Sequence, residues 1–308
     1  MSVDGLTGNI DFIQSFQIEG QKNGTALRGR LTRLGPTLKK ALSGHDYPPI
    51  VSRLLSETVV VALILANSLK YEGVFILQTK GDGPIKTLMA DVTSAGSFRC
   101  YASFDEDQLK GVLAEEEEPS LMRLLGAGYL AFSVDQGPDT ERYQGLTELV
   151  GSSLADCAHQ YFQQSDQLNT AMVVLSEASG QVAGALMIQQ LPSETGQVTD
   201  PEELEEDWRR AVALMSSVKP RELLDDDLPS TDLLYRLFHE DGVRLFDINE
   251  IRNECRCSET KVRQTLVSFS DEELGDLYEN DKISVVCEFC KTGYYFSRED
   301  MVTLRSTL

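Results

Sequence analysis

Residues 283–296 read ISVVCEFCKTGYYF, two β-type runs with Cys287 and Cys290 at the turn between them. A C-x-x-C turn directs two sulfurs into one pocket, and the upstream pair in Cys255-Arg256-Cys257 can complete an all-cysteine tetrahedral shell. Four soft thiolates favour zinc over magnesium or calcium. Between the pairs the chain predicts a helix capped by Ser258 and another opened by Ser270, with Glu273 completing a capping box. The apolar content of residues 251–308 is too small for a self-sufficient core, so metal ligation is expected to supply much of this segment's folding free energy.

The remainder of the chain fits that reading. Of six cysteines, Cys100 and Cys157 are isolated and read as small core residues. In a reducing compartment the other four point to metal or redox chemistry rather than to structural disulfides. A C-x-C pair is unusual in purely structural zinc modules, and its adjacent thiols can close into a local disulfide. Zinc holds sulfur as thiolate, the form that attacks oxidants, so oxidation would remove the metal and the support it gives together.

Upstream, residues 1–193 are expected to form an α+β domain with a largely antiparallel sheet. Strands are predicted in FIQSFQIEG and TALRGRLTRLG around Lys22-Asn23-Gly24, and at 73–79, 85–91, 97–104, 129–135, 142–149, 172–177 and 183–191. The turn Gly81-Asp82-Gly83-Pro84 predicts a hairpin, residues 50–70 a long buried helix, and 120–125 and 152–165 two shorter ones. Residues 194–250 read as an acidic helical linker. Its first part, 194–227, carries eleven acidic side chains against four basic ones. Like-charge repulsion weakens any compact state there. Even so, Asp200-Pro201-Glu202-Glu203 opens a helix whose Leu204, Trp208, Val212 and Met215 share a face, and a second helix opens at Ser230. A docked segment of this kind is expected to be marginal and can act as a conformational switch, with a stable interdomain helix as the other reading.

The balance of 28 Lys+Arg against 49 Asp+Glu gives a net charge of −21, which argues against nucleic acid or an anionic membrane surface as partner. Residues 251–308 hold eight basic and eleven acidic side chains, so the cysteine segment has no basic footprint either. The N-terminal sequence has no secretory pattern, and the longest apolar run, 59–66, is too short to span a bilayer, so a cytoplasmic location is expected. Enzymatic signals are missing: no P-loop, nucleophile elbow or H-E-x-x-H occurs. Gly126-Ala127-Gly128-Tyr129-Leu130-Ala131 fits a dinucleotide pattern only formally, because a helix precedes it and a strand follows. His45, His159 and His239 lack zinc-ligand spacing with the cysteines, and four thiolates close the shell a zinc deaminase must keep open.

At the cysteine pairs the sequence resembles the bacterial 33 kDa chaperonin family, the redox-regulated heat-shock holdases. The resemblance extends through His45-Asp46-Tyr47-Pro48, Gly81-Asp82-Gly83-Pro84, Glu141-Arg142-Tyr143-Gln144-Gly145, the LMIQQLP run and Leu234-Tyr235-Arg236-Leu237-Phe238-His239-Glu240. It implies an ATP-independent chaperone, not an enzyme, that is inactive when reduced and holding one zinc ion on Cys255, Cys257, Cys287 and Cys290. It further implies that oxidation forms Cys255–Cys257 and Cys287–Cys290 disulfides, expels zinc, loosens the linker and exposes apolar surface to unfolding client proteins, with dimerisation of the active form. A zinc-ribbon module that docks proteins without redox switching is the alternative reading.

Overall fold

The computed structural model describes residues 10–20, 27–137, 140, 143–165, 168–190 and 201–306. The turn at 22–24, residues 141–142 and the acidic positions Glu194 and Asp200 lie outside the described residues. Two compact units divide the chain, Met1–Asn253 and Glu254–Leu308.

In the first unit, β1 (Phe12–Ile18), β2 (Leu27–Leu34), β8 (Thr170–Ser176), β9 (Ala183–Gln190) and β10 (Val243–Glu250) form an antiparallel sheet in the order β10-β1-β2-β9-β8. A second sheet, ordered β11-β5-β4-β3-β6-β7, contains β3 (Val74–Gly81), β4 (Ile85–Thr93), β5 (Ser97–Phe104), β6 (Gly128–Asp135) and β7 (Tyr143–Glu148). Its edge strand β11 (Arg252–Asn253) pairs with β5 in parallel; the other pairings are antiparallel. Short helices α1 (Pro36–Leu42), α3 (Glu106–Glu115), α4 (Leu121–Leu125) and α5 (Leu154–Ser165) join or cover strands.

Between the sheets runs α2 (Pro49–Ser68), which packs on strands of both. Its β-branched run Thr58-Val59-Val60-Val61 has modest helix propensity, so the helix owes its stability to burial on nearly every side. By length and composition α2 could cross a bilayer, but 78% of its most apolar window is buried, which makes it a core helix. The expected hairpin is formed by β3 and β4, and its turn has a second duty. Asp82 Oδ1 accepts the Ala127 amide at 2.7 Å, and Gly126, at φ 69°, ends α4 where the chain turns into β6. The glycines around 126–128 therefore terminate a helix and cradle no phosphate.

The outer face of the five-stranded sheet is covered by α6 (Pro201–Ser216), α7 (Pro220–Leu223) and α8 (Ser230–Phe238). Here Ala211, Met215, Leu223, Leu233, Leu234, Leu237 and Phe238 close a second core with Phe12, Phe16, Ile18, Leu27, Leu31, Leu186 and Ile188. Phe16 stacks on Phe238 at 5.7 Å and also lies over Gly29 of β2, where any Cβ would collide with its ring. Trp208 and Val212 are partly buried against this core, whereas Leu204 is outside it. The segment expected to be helical also supplies β10, paired with β1.

Polar contacts lock this layer. Arg33, fully buried on β2, donates from Nε to Leu223 O (2.8 Å), from Nη1 to Leu228 O (2.8 Å) and from Nη2 to Glu222 O (3.2 Å). Burial lowers its pKa, a cost offset by Asp225 and Asp226. Arg210 joins two acidic residues, Asp207 at 2.5 Å and the buried Asp241 at 2.7 Å. Part of the acidic excess is thereby neutralised in place.

The second unit contains α9 (Glu259–Val267), α10 (Asp271–Asp276), β12 (Tyr278–Glu279), β13 (Lys282–Val286), β14 (Gly293–Ser297) and α11 (Arg298–Ser306), with the three strands in sequential order. Ser258 caps α9, and Ser270 with Glu273 forms the capping box of α10, as the sequence predicts. Ser297 and Asp300 make the equivalent exchange at α11.

Two predictions follow from these contacts. Replacing Arg33 by Met strands buried carbonyls and should cost at least about 2 kcal/mol. Hydrogen exchange should then accelerate at 220–238 while the six-stranded sheet stays protected; uniform acceleration would contradict the local role. In the second unit, serine hydrogen bonds hold Glu273 and Asp300 below the usual carboxylate range. A depressed folded-state pKa gives stability that is present above the unfolded value and lost as pH falls through the folded one. Glu273→Gln and Asp300→Asn should therefore flatten the acid side of this unit's pH–stability curve, followed by circular dichroism.

Candidate metal centre

The second unit has a small apolar interior: Leu266, Leu274, Ile283, Phe296 and Met301 are its buried hydrophobic residues, with Val262, Phe269, Tyr278, Val285 and Tyr294 partly buried around them. Beside it, the β13–β14 hairpin closes through Cys287 N to Thr292 O at 2.9 Å and Lys291 N to Cys287 O at 2.8 Å. Lys291 takes the left-handed conformation, φ 56°, that this tight return requires. Cys287 and Cys290 thereby stand on one turn. Cys255 and Cys257 come from the extended stretch before α9, where Lys261 Nζ holds the Arg256 carbonyl at 2.8 Å.

All four Sγ atoms lie within 4.8 Å of one another. Between the motifs, Cys255 and Cys287 are 3.7 Å apart and Cys257 and Cys290 3.4 Å apart. A tetrahedral shell with metal–sulfur bonds of about 2.3 Å requires sulfur–sulfur edges of about 3.8 Å, so the donor set fits one metal ion of that geometry. All four cysteines carry free thiols; Cys290 is the most exposed.

Without a cation, these sulfurs cannot all be negative at such range. Burial, with hydrogen bonding among the thiols, pushes Cys257 up to about 12, even though Tyr294 Oη donates to its Sγ at 3.0 Å. Cys287 is raised as well, first by burial. At Cys290 burial also works upward but is outweighed by hydrogen bonds from Thr292 and the neighbouring thiols, which bring it down to about 6. Hydrogen bonding from Thr292 and Cys257 thus favours negative charge on the Cys290 sulfur. A divalent ion would replace this arrangement with four thiolates. Tyr294 and Thr292, which set the hydrogen bonding around the sulfurs, had no signal in the sequence beyond their place on the hairpin.

The remaining candidates belong to the first unit and have other partners there. Cys100, pushed up to about 12 by burial, is in the sheet core, and buried Cys157 donates to Val150 O at 3.0 Å. His159 Nδ1 meets Thr170 O at 2.6 Å, His239 Nδ1 meets Tyr235 O at 3.1 Å, and His45 stacks on Tyr47 at 4.5 Å. Asp225, Asp226 and Asp227 also bring oxygens within 4.8 Å. They are largely solvent-facing, and the charge of Asp225 and Asp226 acts on Arg33.

Comparison with known proteins follows this geometry. The family model described as Hsp33 protein matches residues 11–297. The 33 kDa chaperonin of Caulobacter vibrioides is 38% identical over 291 residues, covering 92% of this chain and 94% of that protein. The 33 kDa chaperonin of Nitrosococcus oceani is 36% identical over 297 residues, covering 96% and 94%. Among solved structures, the 33 kDa chaperonin (heat shock protein 33 homolog) of Thermotoga maritima shares the fold, with a TM-score of 0.75 at 22% identity over 96% of this chain and 98% of that one. The chain belongs to the Hsp33 family of 33 kDa chaperonins.

Proposed function

We propose that the chain is a cytoplasmic, ATP-independent holdase whose activity is set by the oxidation state of Cys255, Cys257, Cys287 and Cys290, with one zinc ion held by these thiols in the inactive form. The observation that carries this reading is the convergence of four sulfurs in a unit with five buried hydrophobic residues among those described. Structural zinc contributes on the order of 10–16 kcal/mol in apparent terms to comparably small units, so its loss would remove most of what keeps residues 254–308 folded. All-thiolate ligation selects zinc among abundant divalent ions.

A peroxide supplies a balanced activating step. Each pair of thiolates loses two electrons and forms one disulfide, while each peroxide, with two protons, is reduced to two waters. Zinc leaves as the free dication because disulfide sulfur is a poor ligand. The proposed pairs are Cys255–Cys257 and Cys287–Cys290. Forming either pair draws its two sulfurs to about 2.05 Å, so the four-sulfur cluster must rearrange.

Asn253 ends one unit and Glu254 begins the next, so unfolding of residues 254–308 would free the chain that leads back into β10 and the α6–α8 layer. The metastable linker of residues 194–250 would then leave the sheet of the core domain, 1–193. Release would bare Phe12, Phe16, Leu31 and Ile188 along with the linker's own apolar face, a surface fitted to unfolding clients and to a second activated copy.

Zinc release read by a chromogenic chelator, alongside light scattering of a thermally unfolding client, tests the switch. The reduced protein should retain about one zinc and suppress scattering weakly; peroxide with mild heating should release zinc and switch suppression on. Equal suppression in both states would rule out redox control while leaving the holdase. Cys287→Ser with Cys290→Ser should abolish zinc retention, and tight binding by that variant would overturn the ligand set. Peptide mapping of the oxidised protein should recover both within-motif disulfides; a dominant Cys257–Cys290 bridge would contradict the pairing.

A further inference from the structure

The five-stranded sheet holds a buried cation with no counter-ion. Arg30 of β2 is 3% exposed, and no carboxylate lies within ion-pairing distance of it among the described residues. Its Nε donates to Asn67 Oδ1 at 3.2 Å and Nη1 to Gln189 Oε1 at 3.4 Å. Both acceptors are neutral amides, and Asn67 also accepts from Ser15 Oγ at 3.2 Å. Nη2 has no hydrogen-bond partner among the described residues. A full positive charge removed from water without an anion is unfavourable, and the carboxyl end of α2, next to Asn67, offers only partial negative charge.

Arg30 lines an open cleft of about 450 Å³ together with Ser15, Arg28, Phe246, Asp247 and Asn249. Arg28 stands two residues along the same face of β2. On β10, Arg244 stacks over the Phe246 ring at 5.4 Å. In a molecule of net charge −21, a cleft with three guanidiniums in or beside it and one carboxylate, Asp247, is a local reversal of sign. Burial, reinforced by Arg28, lowers Arg30 to about 10, so it remains charged at neutral pH.

We propose that this cleft binds a small oxyanion, a phosphate group or a carboxylate, through the guanidiniums of Arg30 and Arg28 with the Asn249 amide. A guanidinium presents paired donors to two oxygens of either group, and water exclusion around Arg30 strengthens the contact. Because β1 and β2 supply one wall and β10 the other, a bound anion bridges β10 to the sheet and stabilises that pairing by mass action. The site stands independently of the redox reading.

Calorimetric titration of the reduced, metal-loaded full chain with inorganic phosphate, and separately with acetate, at ionic strength held constant with chloride, tests the assignment. Saturable binding of either anion is expected. Phosphate alone assigns a phosphoryl ligand, acetate alone a carboxylate, and both the shared chemistry. Arg28→Gln, an exposed change, should weaken binding about tenfold, the worth of one charge-assisted contact. Arg30→Met should abolish it, with circular dichroism confirming the fold, and Asp247→Asn should tighten it. No saturable binding of either anion, or affinities unchanged by Arg28→Gln and Asp247→Asn, would overturn the proposal.

Discussion

Four thiols brought within bonding range of a common centre cannot all ionise unless a cation joins them. Around them is a unit whose buried hydrophobic residues, among those described, number five, too few to offset the conformational entropy of some fifty ordered residues. On the proposed function, the same sulfurs are the support of a fold, through the metal they would hold, and the groups that meet the oxidant. Supports of other kinds, such as a larger core, would not answer to an oxidant. On the proposed function, this coupling of stability to sulfur chemistry makes a chaperone conditional.

On the proposed function, the first unit depends on that constraint indirectly. Its main core, built around α2 and both sheets, has no need of metal. The second core draws about half of its buried residues from α6, α7 and α8, the layer that the proposed switch would release. Charge composition alone understated what holds this layer. Asp207 and Asp241 share Arg210, Glu222 pairs with Arg236 at 3.0 Å, and Arg33 collects three backbone carbonyls. Such contacts favour a docked layer while leaving a strongly acidic segment that gains little from staying compact once its connection is cut.

Most of the fold was legible because period-two and period-3.6 patterns agreed with turn chemistry. The long helix, the β3–β4 hairpin, the strands of both sheets other than β10 and β11, and the two serine caps of the second unit lie where the residues point. The misses have physical causes. α3 opens with Asp105 accepting from the Gln108 amide, yet buries only Leu109, so its apolar period was faint. β10, VRLFDINE, follows two helices in a charged stretch and gains its partner from β1, more than two hundred residues earlier. A long-range pairing of this kind leaves no local trace. The cysteine centre was read residue by residue, since two short motifs fix ligand identity; Tyr294 and Thr292 were not, because a hydrogen bond to sulfur follows from packing and not from spacing. Arg30 and Arg33 likewise looked like ordinary charges on an alternating strand, and only the second layer on each face shows them to be buried.

Amide hydrogen exchange over residues 201–250, compared between reduced metal-loaded protein and reduced protein stripped of metal, tests the central claim most directly. The account predicts slow exchange in the loaded form and fast exchange across α6, α8, β10 and residues 254–308 after stripping, with α2 and the six-stranded sheet unchanged. Retention of full protection at 201–250 in the stripped protein would contradict it.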